Sequence, residues 1–142
     1  MPLLSRSLAL AFAVALAACD LGGPSLADLN VSDLSHDADA LVGTWDLVST
    51  TSAGMTGPPT TVPAPAGLQS YVFAADGRAE VYREGVLSDA TAWRLEPPGP
   101  TYPDAPPSLV VGERRLYFGI DGDRFYVDHR PADGPLYEYA RR

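Results

Sequence analysis

Lysine is missing from this 142-residue chain: all ten basic residues are arginine. A GC-rich genome produces such a composition, and an acidic, lysine-free surface would also suit a salty habitat. There is one cysteine, Cys19, so no disulfide can form within the chain. Histidine is scarce as well. His36 precedes the first strand-like stretch, His129 follows the seventh, and neither has a nucleophile motif beside it. A catalytic histidine needs a positioned partner, so no enzymatic activity and no catalytic residue is expected. No basic stripe offsets the acidic balance. Arg6 belongs to an N-terminal leader, so the rest of the chain carries nine basic against 18 acidic residues, or 9 − 18 = −9. Nucleic acid and anionic lipid surfaces would repel that charge, and nucleic acid is not expected as a partner. No apolar run approaches the roughly 20 residues that a membrane-spanning helix takes.

What is present at the N-terminus is a short leader. Arg6 supplies a positive head, Leu8 to Leu16 form an unbroken apolar run, and Leu16, Ala17, Ala18 and Cys19 follow. This pattern reads as a cleaved signal peptide over residues 1–18 and is set aside from the fold. The LAAC sequence resembles the lipobox of bacterial lipoproteins, whose cysteine is acylated and becomes the mature N-terminus. The resemblance implies lipid attachment at Cys19 and a partner membrane reached through that lipid. Each buried CH₂ of an acyl chain contributes about 0.8 kcal/mol, so two or three chains anchor a protein without spanning. The expected location is the bacterial cell envelope, on the periplasmic or cell-surface side. Asp20 fits a pattern of inner-membrane retention that varies between lineages, so either membrane remains open. The alternative is a soluble secreted protein with a chance cysteine.

Residues 19–40 contain five aspartates, no lysine or arginine and no Phe, Trp or Tyr. Low hydrophobicity with charge of one sign does not repay the entropy of ordering, so this segment is expected to be a flexible tether. A helical turn near Ser35 to Leu41, capped by Ser35 or Asp37, is expected to close one end of the domain that follows.

That domain, residues 41–142, reads as all-β. Strand signals cover Val42 to Thr51, Leu68 to Phe73, Ala79 to Arg83, Thr91 to Leu95, Ser108 to Val111, Arg115 to Ile120, Phe125 to Asp128 and Leu136 to Arg141. Asp76-Gly77, Gly112-Glu113, Asp121-Gly122 and Asp133-Gly134 supply the positive φ of tight turns between them. Alternation places Trp45, Leu47, Tyr71, Phe73, Val81, Trp93, Leu95, Leu109, Val111, Leu116, Phe118, Ile120, Phe125 and Val127 on one face. Asp46, Glu80, Arg94, Glu96, Arg115, Arg124 and Asp128 fall on the other. Eight antiparallel strands with a single buried face most easily close into an up-and-down β-barrel, which removes exposed edges. Two Pro-rich loops, residues 52–67 and 96–107, are too long for hairpins and hold no phosphate-binding glycine pattern. The first reads as a solvated loop or as a lid over a barrel mouth.

Gly43-Thr44-Trp45 at the head of the first strand is similar to the Gly-x-Trp signature of lipocalins and small bacterial lipocalin-like domains. The resemblance covers about residues 41 to 142. It implies a tryptophan across the closed end of the barrel with an arginine from the last strand stacked over it. Here the floor would be Gly43, Trp45 and Arg141, with Arg142 as a less favoured substitute. The chain is shorter than a classical lipocalin and lacks its disulfide and its long helix. The resemblance implies a small hydrophobic or amphipathic ligand, with Tyr71, Phe73, Trp93 and Phe118 as candidate contacts and no cofactor. Five large aromatics pointing inward make a filled interior the simpler outcome, because eight strands leave room for side chains or one small ligand. The alternative role is a filled barrel that docks another envelope protein, through its rim loops or through Tyr82, Tyr117 and Tyr126 on its outer face. Asp121 and Asp123, with Asp128 and His129 across the hairpin, offer oxygen ligands to a cation, but aspartate-glycine is ordinary turn chemistry and no metal site is expected.

Overall fold

A computed structural model describes residues 25–52 and 57–142. Residues 1–24, and with them Cys19 and the signal peptide, lie outside the described residues, as does the tip of the first long loop.

Nine strands follow in order: β1 (Gly43–Thr51), β2 (Thr61–Pro63), β3 (Gln69–Phe73), β4 (Arg78–Arg83), β5 (Val86–Glu96), β6 (Ser108–Val111), β7 (Arg114–Asp121), β8 (Arg124–Asp128) and β9 (Leu136–Arg141). All pairings are antiparallel, and β9 returns to pair with β1. Leaving β2 aside, these strands form a closed eight-stranded barrel in which sequence neighbours are spatial neighbours. Positive-φ residues at the hairpin tips include Gly77, Gly112 and Gly122.

Two departures from the expected strands have local causes. β2 forms inside the first long loop, pairing Thr61, Val62 and Pro63 with Thr51, Thr50 and Ser49. β3 takes the same edge of β1 only as far as Asp46, which leaves the upper edge free. Two β-branched residues in register, with the Thr51 and Thr61 hydroxyls 2.8 Å apart, occupy it. Loop residues 61–63 are therefore tied to the wall by strand pairing while remaining exposed to solvent. The second departure is β5, which begins at Val86 rather than Thr91. Its turn is Glu84-Gly85, with φ of 52° and 76°. Glutamate gives no sequence sign of a left-handed conformation, and the stretch SDATA carries little strand propensity until β4 offers it a partner.

The inward face is the one that alternation assigned. Trp45, Phe73, Leu109, Phe118 and Phe125 are at most 1% exposed, and Leu47, Val81, Val111, Leu116, Ile120 and Val127 are buried with them. Leu95 is partly buried against this cluster.

The expected tether differs from the structure. From Ser25 onward the chain lies as a strap on the outer wall. Val31 is buried with Tyr126 and Leu136 in a second, smaller apolar cluster, flanked by Leu26, Leu29 and Leu34. β6 reaches only to Leu116 along β7, so the far half of that edge is free for another partner. Ser35 takes it: its N–H donates to the Ile120 carbonyl at 3.0 Å and its carbonyl accepts from the Ile120 N–H at 2.9 Å. Gly119 permits the approach, because a Cβ there would stand 2.7 Å from the Val31 carbonyl oxygen and 2.8 Å from Leu34 Cβ. Arg130 clamps the strap from the side, donating to the carbonyls of Ala27 at 3.1 Å and Leu29 at 2.5 Å while paired to Asp128 at 2.8 Å. Three scattered leucines and one valine, too sparse to form an element of their own, are enough to cover an outer face that carries Tyr126 and Leu136. The strap also separates the three outer tyrosines: Tyr126 is buried beneath it, Tyr117 stays 55% exposed, and Tyr82 stands on β4 with its hydroxyl donating to Glu80. The outer tyrosine cluster does not form.

Candidate functional site

The two ends of the barrel differ in chemistry. At one end a single helical turn, α1 (Ala38–Leu41), leads into β1. Asp37 caps it, its carboxylate accepting from the Asp39 N–H at 3.0 Å, which leaves the carbonyls of Ala40, Leu41 and Val42 facing the barrel floor. The Trp45 indole N–H donates to Leu41 at 2.7 Å. Trp45 and Arg141 are direct cross-strand partners, and the guanidinium carbon lies 4.2 Å from the indole centroid. Arg141 also donates through Nη1 to Val42 at 2.8 Å and through Nη2 to Ala40 at 2.6 Å. One residue thus covers the ring and satisfies two orphan carbonyls. Gly43 is required beside it: φ is 141°, and a Cβ would sit 2.6 Å from Arg141 Nη1. Arg142 turns outward instead and binds Asp46 through two hydrogen bonds of 2.9 and 2.7 Å. Burial works against the Asp46 charge, but the Ser70 hydroxyl and Arg142 outweigh it and hold the carboxyl below its usual range.

The residues expected to touch a ligand are brought together, though as packing. Phe73 lies 5.5 Å from Tyr71, 5.7 Å from Trp93 and 5.9 Å from Phe125, and Phe118 lies 6.3 Å from Phe125. Phe125 is the hub, touching Trp45 and Tyr139 as well. Phe73 and Phe118 are each 1% exposed, and Trp93 is 9% exposed with its indole N–H spent on the Ala74 carbonyl. A ligand contacting Phe73, Phe118 or Trp93 would have to displace core aromatics.

The open end is polar. Cross-strand partners share a face, so the pairs Gln69–Arg83, Tyr71–Val81, Val81–Asp89 and Val111–Arg114 continue the inner wall upward from the aromatic core. Val81, Arg83, Ser88, Asp89 and Arg114 line an open cleft of about 320 Å³ there. Below them the Tyr71 hydroxyl is held above its ordinary pKa by burial, against the pull of Arg114, Arg83, Gln69 and Tyr139. Tyr139 is pushed up further, by its deeper burial and by the neighbouring Tyr71 and Tyr137. Of the exposed apolar side chains near this end, Val86 is the cross-strand partner of Arg83 and shares its face, Leu87 pairs with the outer Tyr82, Leu68 lines a separate shallow recess with Pro65 and Glu84, and Val62 is exposed on β2.

Neither histidine stands in a relay. His36 belongs to the strap rather than to a free tether, edge-on to Phe118 with ring centroids 5.1 Å apart, and its Nε2 is buried without a hydrogen-bond partner. His129 packs against Tyr137. The Asp121-Gly122-Asp123 turn commits Asp123 to Arg141 at 3.3 Å, and among the described residues no three potential metal ligands come together.

The fold and its two ends define a closed eight-stranded antiparallel barrel with a plugged floor, an aromatic filling and a polar mouth. No protein family model, curated protein or solved structure matches this chain.

Proposed function

We propose that this chain is a lipid-anchored protein of the bacterial cell envelope whose lipocalin-like barrel binds a small hydrophobic or amphipathic molecule, at the mouth rather than in a deep cavity. The observation that carries the reading is the asymmetry of the ends: Trp45 and Arg141 seal one, while the other opens a cleft lined by Val81, Arg83, Ser88, Asp89 and Arg114, with the exposed Val86 as cross-strand partner of Arg83. A ligand site of this kind combines an apolar surface with a few convergent polar groups. The lipocalin-like assignment rests on Gly43-Thr44-Trp45 with its arginine partner, and the anchor rests on the sequence around Cys19. Binding needs neither catalysis nor a cofactor.

The test is calorimetric titration of the unlipidated Cys19→Ser chain with single-chain amphiphiles. Saturable binding near one molecule per chain supports the reading, and no heat from any of them ends it. Tryptophan quenching is a poor readout here, since Trp45 and Trp93 are at most 9% exposed. For the anchor, labelling with an alkynyl fatty acid is expected in the native protein and lost in Cys19→Ser.

The filled interior favours a second reading, a barrel that docks another envelope protein without a small ligand. Crosslinking in intact cells from a photoreactive residue at Val86 or Leu87 separates the two: a discrete protein adduct supports docking, and adducts to lipid alone support the mouth site.

A further inference from the structure

The arginines of this barrel are not equivalent. Nine lie in the described residues, and seven of them, Arg78, Arg94, Arg115, Arg124, Arg130, Arg141 and Arg142, are paired to a carboxylate. Among the described residues, Arg83 and Arg114 have no carboxylate within the 4.0 Å of a salt bridge, in a chain whose acidic residues outnumber its basic ones 18 to 10. Both also belong to the inner wall. Arg83 is the cross-strand partner of Gln69, and Arg114 is the partner of the core residue Val111. They come from β4 and β7, on opposite sides of the β5–β6 corner, and meet as lining of one cleft. Both reach the Tyr71 phenol at its base electrostatically.

We propose that this pair selects an anionic headgroup, so that the mouth takes a single-chain amphiphile ending in a carboxylate, with Arg83 and Arg114 as its anchors. The inference rests on the mouth-binding reading above and deepens it. Two guanidiniums face one carboxylate in the cleft, Asp89, so the site keeps a surplus positive charge. Glu84 and Glu113 are chain neighbours of the two arginines but form no ion pair with them. The surrounding net negative charge repels anions that lack an apolar tail to hold them. A guanidinium recognises a carboxylate through paired N–H donors. The exposed side chain of Val86, cross-strand partner of Arg83, supplies apolar surface for the chain of the ligand. The core below stays closed.

The experiment compares three ligands with the same dodecyl chain, dodecanoate, dodecyl maltoside and dodecyltrimethylammonium, each below its micelle concentration, together with acetate. The Cys19→Ser chain is used with and without Arg83→Gln and Arg114→Gln. Dodecanoate is expected to bind tightest, weakening with added salt, and each glutamine variant is expected to weaken it about tenfold or more, the loss of one charge-assisted contact. Thermal unfolding of the variants should match that of the parent, because neither arginine has an ion-pair partner to lose among the described residues. Equal binding of all three dodecyl ligands overturns the anion inference and leaves the mouth-binding reading standing. Binding of none overturns both. Acetate binding as tightly as dodecanoate overturns the amphiphile part, reducing the site to one for free anions. Dodecanoate binding unchanged in both variants removes the arginines from the site.

Discussion

Arg141 makes three kinds of contact at the barrel floor, and replacing it with methionine removes the charge and the donors while keeping most of the apolar length. The guanidinium 4.2 Å from the Trp45 centroid accounts for roughly 0.5 to 2 kcal/mol. Its hydrogen bonds to Val42 and Ala40 are charge-assisted, and two part-buried carbonyls left without donors cost about 1 to 3 kcal/mol each. The contact with Asp123 adds little, since that carboxylate side chain is 85% exposed. Shared contacts do not add fully, so a loss of about 3 to 5 kcal/mol is expected, against the 5 to 15 kcal/mol that holds an ordinary domain together. At about 4 to 8 °C per kcal/mol, Tm should fall by at least roughly 12 °C. Thermal unfolding followed by circular dichroism reads this directly. Arg141→Lys should fall between, because an ammonium can face the ring but cannot fork to both carbonyls. A methionine variant within about 0.5 kcal/mol of the parent, the scatter of surface substitutions, would refute the floor as a stabilising lock.

The strap gives two further predictions. Gly119→Val places a branched side chain where Val31 and Leu34 now lie, so the strap should lift while the barrel persists; limited proteolysis is expected to cut between residues 25 and 36 at least tenfold faster, with far-UV dichroism retained, and an unchanged cutting rate would show that Gly119 has no part in seating it. The second concerns pH. Burial lowers the His36 pKa below 6.5, only partly offset by backbone contacts with Phe118 and Leu34, so the unfolded chain binds the proton more readily than the folded one. The contribution of neutral His36 is present above about pH 6.5 and declines as pH falls from there toward the depressed folded value. The stability difference between the parent and His36→Gln should shrink between pH 7.5 and 5.5, and a difference independent of pH would contradict the half-buried, neutral ring.

Period-two alternation made the inner wall legible because each strand has one buried face: positions from Trp45 to Val127 could be assigned without knowing their neighbours. The floor was legible for a different reason. Gly43 and Trp45 stand two positions apart in sequence, and Arg141 sits at a fixed place on the closing strand. The strap escaped the same reasoning because its burial depends on a partner surface that composition does not display. Val31 and Leu34 are ordinary residues in a polar segment until Gly119, 85 residues after Leu34, leaves room for them. The mouth escaped for a related reason. Arg83 and Arg114 stand out only once the other seven arginines in the described residues have found their carboxylates, and that pairing is a property of the closed ring. The aromatic residues read as ligand contacts were placed on the correct face, but sequence does not reveal how much space lies between opposite walls.

Backbone NMR of the Cys19→Ser chain, titrated with dodecanoate, locates binding most directly. A filled barrel with a mouth site requires saturable shifts confined to Leu68–Tyr71, Arg83–Asp89 and Gly112–Arg114, with the amides of Gly43, Trp45, Phe73 and Phe118 unmoved. Shifts centred on those four core and floor positions, or none at any residue, would contradict it.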